Sequence, residues 1–355
     1  MKFNEKLQNF KPYTPVTESF RIRLDANESA FNANRRFLAK FKKEILKVDY
    51  NRYPDPACTE LREAFAKCFR VRPEQVVCGN GSDELLNLIT ETFASKGDRI
   101  AVFEKDFSMY AFYARLMECE VIEVPNRADF SADAEGMIEA CRENGARIAF
   151  LSNPCNPTSL VLERKQISKL VSSLPETLVV VDEAYMDFAD ESTLGEVRRY
   201  DNLIILKTLS KAFGMAAIRL GFAVSSPEIA EILNRTRSPY NVNALTQIAG
   251  RLALSARPVM EENAEDLVEL KNALFAGLKR IGEAAKGDFE PIEGETNFVC
   301  VKTSKVKQIQ TYLKKRGISV RGFEGYLRIT VGTEEENAEV LQCLDEAAGI
   351  LWIEE

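Results

Sequence analysis

Asn202–Phe222 reads NLIILKTLSKAFGMAAIRLGF. Leu203–Leu206 is an apolar run of strand length that leads into Thr208, Ser210 and Lys211, with Arg219 following. A lysine just past a buried strand, beside two hydroxyls and an arginine, suits a site that holds a phosphate and uses an amine as nucleophile. Taken alone, Lys211 and Arg219 read more simply as solvated charges flanking a core strand, because isolated lysines are mostly exposed. What the rest of the chain sets beside this stretch decides between the two.

From Gln75 to about Ile232 short apolar runs alternate with helical ones. Val76–Cys78, Arg99–Phe103, Glu120–Val124, Arg147–Leu151, Leu178–Val181, Leu203–Leu206 and Leu220–Val224 are strand candidates. Amphipathic stretches lie between most of them: Asp83–Ala94, Ser108–Glu118, Ala132–Glu143 and Arg164–Ser173. This rhythm predicts an α/β fold, a mainly parallel seven-stranded sheet sandwiched by helices, with ligands at the carboxyl ends of the strands. Upstream lie a short polar-apolar stretch, Phe20–Leu24, a basic helical run, Asn34–Val48, and a turn at Tyr53-Pro54-Asp55-Pro56 before the helical spacing of Thr59–Phe69. Downstream the pattern becomes one long helix over Asn243–Arg280. Short strands at Phe298–Val301, Ser319–Arg321 and Tyr326–Val331 and a helix over Glu334–Leu351 follow. The expected organisation is a large domain over residues 30–240 and a smaller α+β domain formed by 1–29 with 241–355.

Composition narrows the function classes. With 355 residues, 45% of them hydrophobic and 28% charged, the chain has the make-up of a globular protein with a large core. A net charge of -7 disfavours nucleic acid as a partner. No apolar run has bilayer length and the N-terminus lacks a signal-peptide core, so a cytoplasmic location is expected. The eight cysteines form no Cys-x-x-Cys pair and the chain has no histidine, so zinc-site patterns fail and Ser-His or Cys-His catalysis is excluded. A proton carrier here must be lysine, tyrosine, cysteine or a carboxylate.

Three further stretches fall at predicted strand ends. Gly79-Asn80-Gly81-Ser82-Asp83 stands between a strand and a helix, where glycines let backbone amides approach an anion; a tight turn with an Asp or Ser cap is the equal alternative. Asn153-Pro154-Cys155-Asn156-Pro157-Thr158 is a loop stiffened by two prolines, and Asn156 could offer its amide to a ligand. In Val179-Val180-Val181-Asp182-Glu183-Ala184-Tyr185 an apolar run ends on a carboxylate that needs a partner if buried. Together, a nucleophilic lysine, phosphate-holding groups, an Asn, a Tyr and a buried Asp suit pyridoxal 5'-phosphate. Asp182 would keep the pyridine nitrogen protonated, and Lys211 would carry the aldehyde as a Schiff base and then move the substrate's alpha proton.

In their order, LDANES (24–29), YPDP (53–56), GNGSDELL (79–86), NPCNPT (153–158), VVVDEAY (179–185), TLSKAFGMAAIRLGF (208–222), PYNVN (239–243), TNF (296–298) and YLRITVG (326–332) resemble the fold-type I aminotransferases. The resemblance is closest to the histidinol-phosphate aminotransferase family and covers nearly the whole chain. It implies that Lys211 bonds the cofactor, Asp182 pairs the pyridine nitrogen, and Asn156 and Tyr185 contact the ring oxygen. It also implies that Gly81, Ser82, Asp83, Thr208, Ser210 and Arg219 surround the phosphate, and that Phe107 stacks on the ring. Tyr53 is similar to a tyrosine that reaches the phosphate from a neighbouring subunit, which implies a homodimer with shared sites. Arg328 resembles an arginine that grips a substrate carboxylate, and Arg321 and Asn27 complete the expected substrate contacts.

Three places depart from the family pattern: Lys105-Asp106-Phe107 for Pro-Thr-Tyr, Ser29-Ala30-Phe31-Asn32 for Asn-Pro-x-Gly, and Ser159 for a glycine. The reaction implied is amino transfer between L-histidinol phosphate and 2-oxoglutarate. An aromatic or broad-range amino acid aminotransferase and a threonine-phosphate decarboxylase are the alternatives on the same scaffold.

Overall fold

The computed structural model describes residues 6, 10, 17–32, 35–285 and 287–352. Twelve strands among these residues form two sheets. In chain order they are β1 (Ile22–Leu24), β2 (Val76–Gly79), β3 (Arg99–Phe103), β4 (Glu120–Val124), β5 (Ile148–Ser152), β6 (Leu178–Asp182), β7 (Leu203–Thr208), β8 (Gly221–Val224), β9 (Glu290–Ile292), β10 (Phe298–Lys302), β11 (Ile318–Phe323) and β12 (Tyr326–Thr330).

The larger sheet has the order β2-β8-β7-β6-β5-β3-β4. β8 runs antiparallel to both of its neighbours, and the pairs from β7 across to β4 are parallel. Its inner strands are apolar on both faces because helices cover both, whereas the edge strand β4 exposes Glu120 and Glu123. Val179 and Val181 enter one core cluster and Val180 the other; Leu203 and Ile205 separate from Ile204 and Leu206 in the same way. The parallel strands therefore deliver their carboxyl ends, Phe103, Ser152, Asp182 and Thr208, to one edge.

The smaller sheet, ordered β1-β11-β12-β10-β9, has its own core built from Leu24, Phe298, Leu327, Ile329 and Leu344. β1 joins it parallel to β11, some 300 residues downstream. The Phe20–Leu24 stretch offers only three residues of alternation, too few to identify as a strand before its partner is known.

Two expectations need correction. The helix predicted over Asn243–Arg280 is two helices, Ala244–Ser255 and Arg257–Ala284, because Pro258 lacks the amide that would continue the first ladder and instead occupies the first turn of the second. The basic run yields a helix over Arg35–Ile45, shorter than Asn34–Val48; Asn34 lies outside the described residues. At the carboxyl end, the helix Glu334–Leu351 opens on a reciprocal cap: the Thr333 hydroxyl accepts from the Glu336 amide at 3.3 Å, and the Glu336 carboxylate accepts from the Thr333 amide at 2.9 Å. Among the described residues no helix is long and apolar enough to cross a membrane.

Candidate active site

A cavity of about 300 Å³ opens where the carboxyl edge of the large sheet meets the small sheet. Ser82, Asp83, Phe107, Asn156, Asp182, Tyr185, Thr208, Ser210, Lys211 and Arg219 line it, together with Asn27, Arg321 and Arg328 from the other side.

At one end the helix Gly81–Phe93 points its N-terminus at the cavity. Its cap residue, Asn80, makes no side-chain capping bond, so the alternative of an Asp or Ser cap does not hold. Gly81 has φ +79, and a Cβ there would stand 2.5 Å from Arg219 Nη2; only glycine lets the arginine lie against this turn. Arg219 Nη2 lies 3.5 Å from Asp83 Oδ2, and its Nη1 donates to Ser210 Oγ at 3.4 Å. The Thr208 hydroxyl accepts from the Ser210 amide at 3.1 Å and donates to Leu220 O at 3.2 Å, tying the end of β7 to the residue before β8. Amides, hydroxyls and a guanidinium thus converge on one spot, the pattern of an anion cradle.

In the floor, Asp182 is 5% exposed. Its Oδ1 accepts from the Ala184 amide at 3.0 Å and its Oδ2 from the Tyr110 hydroxyl at 3.1 Å. Burial pushes the Asp182 carboxyl up to about 6, against the lowering effect of those two hydrogen bonds. Burial likewise pushes Asp106 up to about 7 and holds the Tyr110 phenol well above its ordinary range, so Tyr110 remains a donor. Such a floor favours a cation placed against Asp182.

Lys211 reaches across from the end of β7. Its Nζ donates to the carbonyls of Ala26 and Asn27 at 3.3 and 3.2 Å and lies 5.5 Å from the Tyr185 ring centroid. Asn27, at φ +54, donates through Nδ2 to the Tyr185 hydroxyl at 2.8 Å, and the Thr330 hydroxyl bridges its amide and Oδ1 at 3.0 Å each. Arg328 is buried, donating to Asn156 Oδ1 and to Asp25 O, both at 2.6 Å. It stands opposite Arg321 in the β11–β12 register, so both guanidinium groups belong to the same patch of the small sheet.

A family model described as aminotransferase class I and II matches residues 21–344. The chain belongs to the class I and II aminotransferases. It is 36% identical over 350 residues, 98% of this chain and 97% of the relative, to a histidinol-phosphate aminotransferase of Thermococcus gammatolerans. Two solved structures share the aminotransferase fold. A histidinol-phosphate aminotransferase from Sinorhizobium meliloti in complex with pyridoxal-5'-phosphate superposes with a TM-score of 0.89 at 22% identity, covering 99% of this chain and 98% of that one. An L-threonine-O-3-phosphate decarboxylase from Porphyromonas gingivalis gives 0.78 at 21% identity, covering 92% and 99%.

Of the expected aminotransferase residues, Tyr53 stands apart. It is 80% exposed, does not line its own chain's cavity, and stacks on Tyr240 with ring centroids 4.5 Å apart. Gly81 acts from behind Arg219 rather than on the wall itself. Phe107 meets the Tyr110 ring edge-on at 5.6 Å. Tyr110, Asp106 and Ser152 were not anticipated. Tyr110 reads as one more aromatic of an amphipathic helix, and only the fold brings its hydroxyl to Asp182, 72 residues away.

Proposed function

We propose that this aminotransferase moves the amino group of L-histidinol phosphate to 2-oxoglutarate, with pyridoxal 5'-phosphate held in the cavity. The observation that carries the reading is a lysine amine and a buried carboxylate in one cavity whose two ends are both prepared for anions. The residues fit the cofactor: the uncapped helix start with Arg219 against Gly81 suits a phosphate, and Asp182 suits a cationic ring nitrogen. When bound, the cofactor supplies an aldehyde that takes up the amino group and a ring that accepts electrons as the substrate's Cα–H bond breaks.

Each residue then has a defined task. The Ser82 amide, the hydroxyls of Ser82, Thr208 and Ser210, and Arg219 bind the phosphate, while Gly81 gives Arg219 room and Asp83 orients it. Asp182 holds a proton at the pyridine nitrogen, and Tyr110 holds Asp182. The Arg328 contact on Asn156 Oδ1 leaves the Asn156 amide nitrogen as the donor to a ring oxygen, beside the Tyr185 hydroxyl. Phe107 covers one ring face. Lys211 Nζ is the amine that anchors the cofactor and the base that carries the substrate's alpha proton. Arg328 binds the carboxylate of the 2-oxo acid, and Arg321 with Asn27 receives the donor.

The reading extends to organisation. Pairing of β1 with β11 supports assigning the segment that carries β1 to the smaller domain with 241–355; residues 1–5, 7–9 and 11–16 of the expected 1–29 lie outside the described residues. The helix Ala244–Ser255 packs on the helix Thr59–Phe69, however, which argues for a boundary at the start of Arg257–Ala284. The exposed Tyr53–Tyr240 pair supports a homodimer in which Tyr53 serves the neighbouring site. Free thiols and net charge support a cytoplasmic setting.

The test is a half-reaction. Histidinol phosphate should bleach the visible band of the purified protein and 2-oxoglutarate should restore it, while Lys211→Ala should lack the band. A borohydride-reducible band retained in Lys211→Ala would sink the lysine assignment; carbon dioxide release from threonine phosphate without bleaching would assign the site to decarboxylation.

A further inference from the structure

One carboxylate next to the cavity-lining Phe107 has no part in the contacts above. Asp106 lies just past the end of β3, in the stretch Lys105-Asp106-Phe107 where this chain departs from the family pattern. Its Oδ1 accepts from the Phe107 amide at 2.7 Å and from the Ser152 hydroxyl, and its Oδ2 accepts from the Ser152 amide at 3.1 Å. The Ser152 hydroxyl in turn accepts from the Asn156 backbone N–H at 3.0 Å. Ser152 sits directly opposite Asp182 in the β5–β6 register, and the Asn153 amide donates to Asp182 O at 2.9 Å. Tyr110 closes the circuit, with its hydroxyl on Asp182 and its ring edge-on to Phe107.

Asp106 therefore ties the loop after β3 to the end of β5, beside the end of β6. Two oxygens accept three donors here, which a single hydroxyl at this position could not do. The backbone amides of Phe107 and Asn156 are both held in this circuit, and the two residues belong to different strand–loop units.

We propose that Asp106 is a positioning residue of this site: it holds Phe107 and the Ser152–Asn156 turn so that the aromatic wall and the Asn156 side-chain amide face one bound ring. The inference rests on the cofactor assignment made above. Without Asp106, the Phe107 and Ser152 amides lose their acceptor, and the β3 and β5 loops are free to separate.

The test compares wild type with Asp106→Ala, Asp106→Asn and Ser152→Ala. The dissociation constant of pyridoxal 5'-phosphate is measured on each apoprotein by fluorescence titration, together with the visible circular dichroism of the bound cofactor. Asp106→Ala should weaken cofactor binding by about tenfold and change the visible dichroism, which reports the ring's asymmetric surroundings. Asp106→Asn should recover most of both, since its carbonyl oxygen still accepts from the Phe107 amide and the Ser152 hydroxyl. Ser152→Ala, which removes both the hydroxyl's bond to Asp106 and its bond from the Asn156 backbone amide while keeping the Ser152 backbone amide on Asp106, should shift the dichroism in the same direction, and it decides the matter if Asp106→Ala does not fold. Unchanged affinity and dichroism in Asp106→Ala or Ser152→Ala, or no recovery in Asp106→Asn, would overturn the proposal. A wild-type protein that fails to bind the cofactor would instead overturn the cofactor assignment on which it rests.

Discussion

Lys207 and Lys211 stand four residues apart and have opposite fates. Lys207 is buried, with Nζ 3.4 Å from Glu183 and 3.7 Å from Asp187 and lying 5.3 Å from the Phe69 ring centroid. Glu183 is also held by the Thr193 amide at 2.6 Å and the Ser192 hydroxyl at 2.8 Å. This network lies behind Asp182 and Thr208 and supports them, whereas Lys211 faces the cavity. Strand and turn geometry separates the two, since Lys207 is still within β7 and Lys211 lies beyond it. Lys207→Ala leaves Glu183 without its cation, so a loss of about 3–5 kcal/mol in unfolding free energy is expected by denaturant titration. A loss below about 1 kcal/mol would mean that water replaces the ammonium at no penalty.

At the scale of elements, the meeting of the turn before Gly81–Phe93 with the start of β8 is the tightest contact at the site. A Cβ on Gly221 would stand 2.5 Å from Gly81 C and Ser82 N, so backbone rests directly on backbone. Gly81→Ala should weaken cofactor binding by about tenfold or more while the thermal midpoint of the apoprotein falls only slightly, because the φ strain is of order 1 kcal/mol and Arg219 is the group displaced. Equal affinity in the variant would show that Arg219 can bind the phosphate from another position. The runs that build β2, β3 and β5–β8 could be read from the chain because those strands are buried on both faces, and β4, at the sheet edge, because its apolar residues sit between helical stretches. β9 and β1 could not: each has three residues, and each becomes a strand only by pairing with a distant partner.

For the whole molecule, the buried carboxylates couple stability to pH. Asp182 is raised to about 6 and Asp106 to about 7, above their unfolded values. A folded-state pKa that is raised gives stability that is complete below the unfolded pKa and is lost as pH rises through the folded one. The apoprotein's thermal midpoint should therefore fall between about pH 4 and pH 7, by an amount equivalent to a few kcal/mol, and Asp182→Asn should flatten the fall. The cofactor-loaded protein should show a shallower slope, since a cationic ring nitrogen offsets the buried charge. A steeper fall in the loaded protein would argue against the Asp182 pairing. The proposed homodimer with shared sites makes a second prediction at this scale: mixing Tyr53→Ala with Lys211→Ala subunits should regain one intact site per mixed dimer. No recovery of activity on mixing would place Tyr53 outside the neighbouring site.

What the sequence determined alone is the local part. Strand-length apolar runs ending in Asp182, in Thr208-Leu209-Ser210-Lys211 and in the Gly79–Asp83 turn identify both the sheet and the chemistry at its edge, because hydrophobic periodicity and strand-end residues are neighbours along the chain. Only the tertiary structure decided which distant groups meet there. Asn27 reaches Tyr185 across 158 positions and Arg328 reaches Asn156 across 172, and Asp106 finds Ser152 only because β3 and β5 are adjacent in the sheet. Such pairings follow from strand order and register, which bury each polar group where its partner is the one available, and no local pattern encodes them.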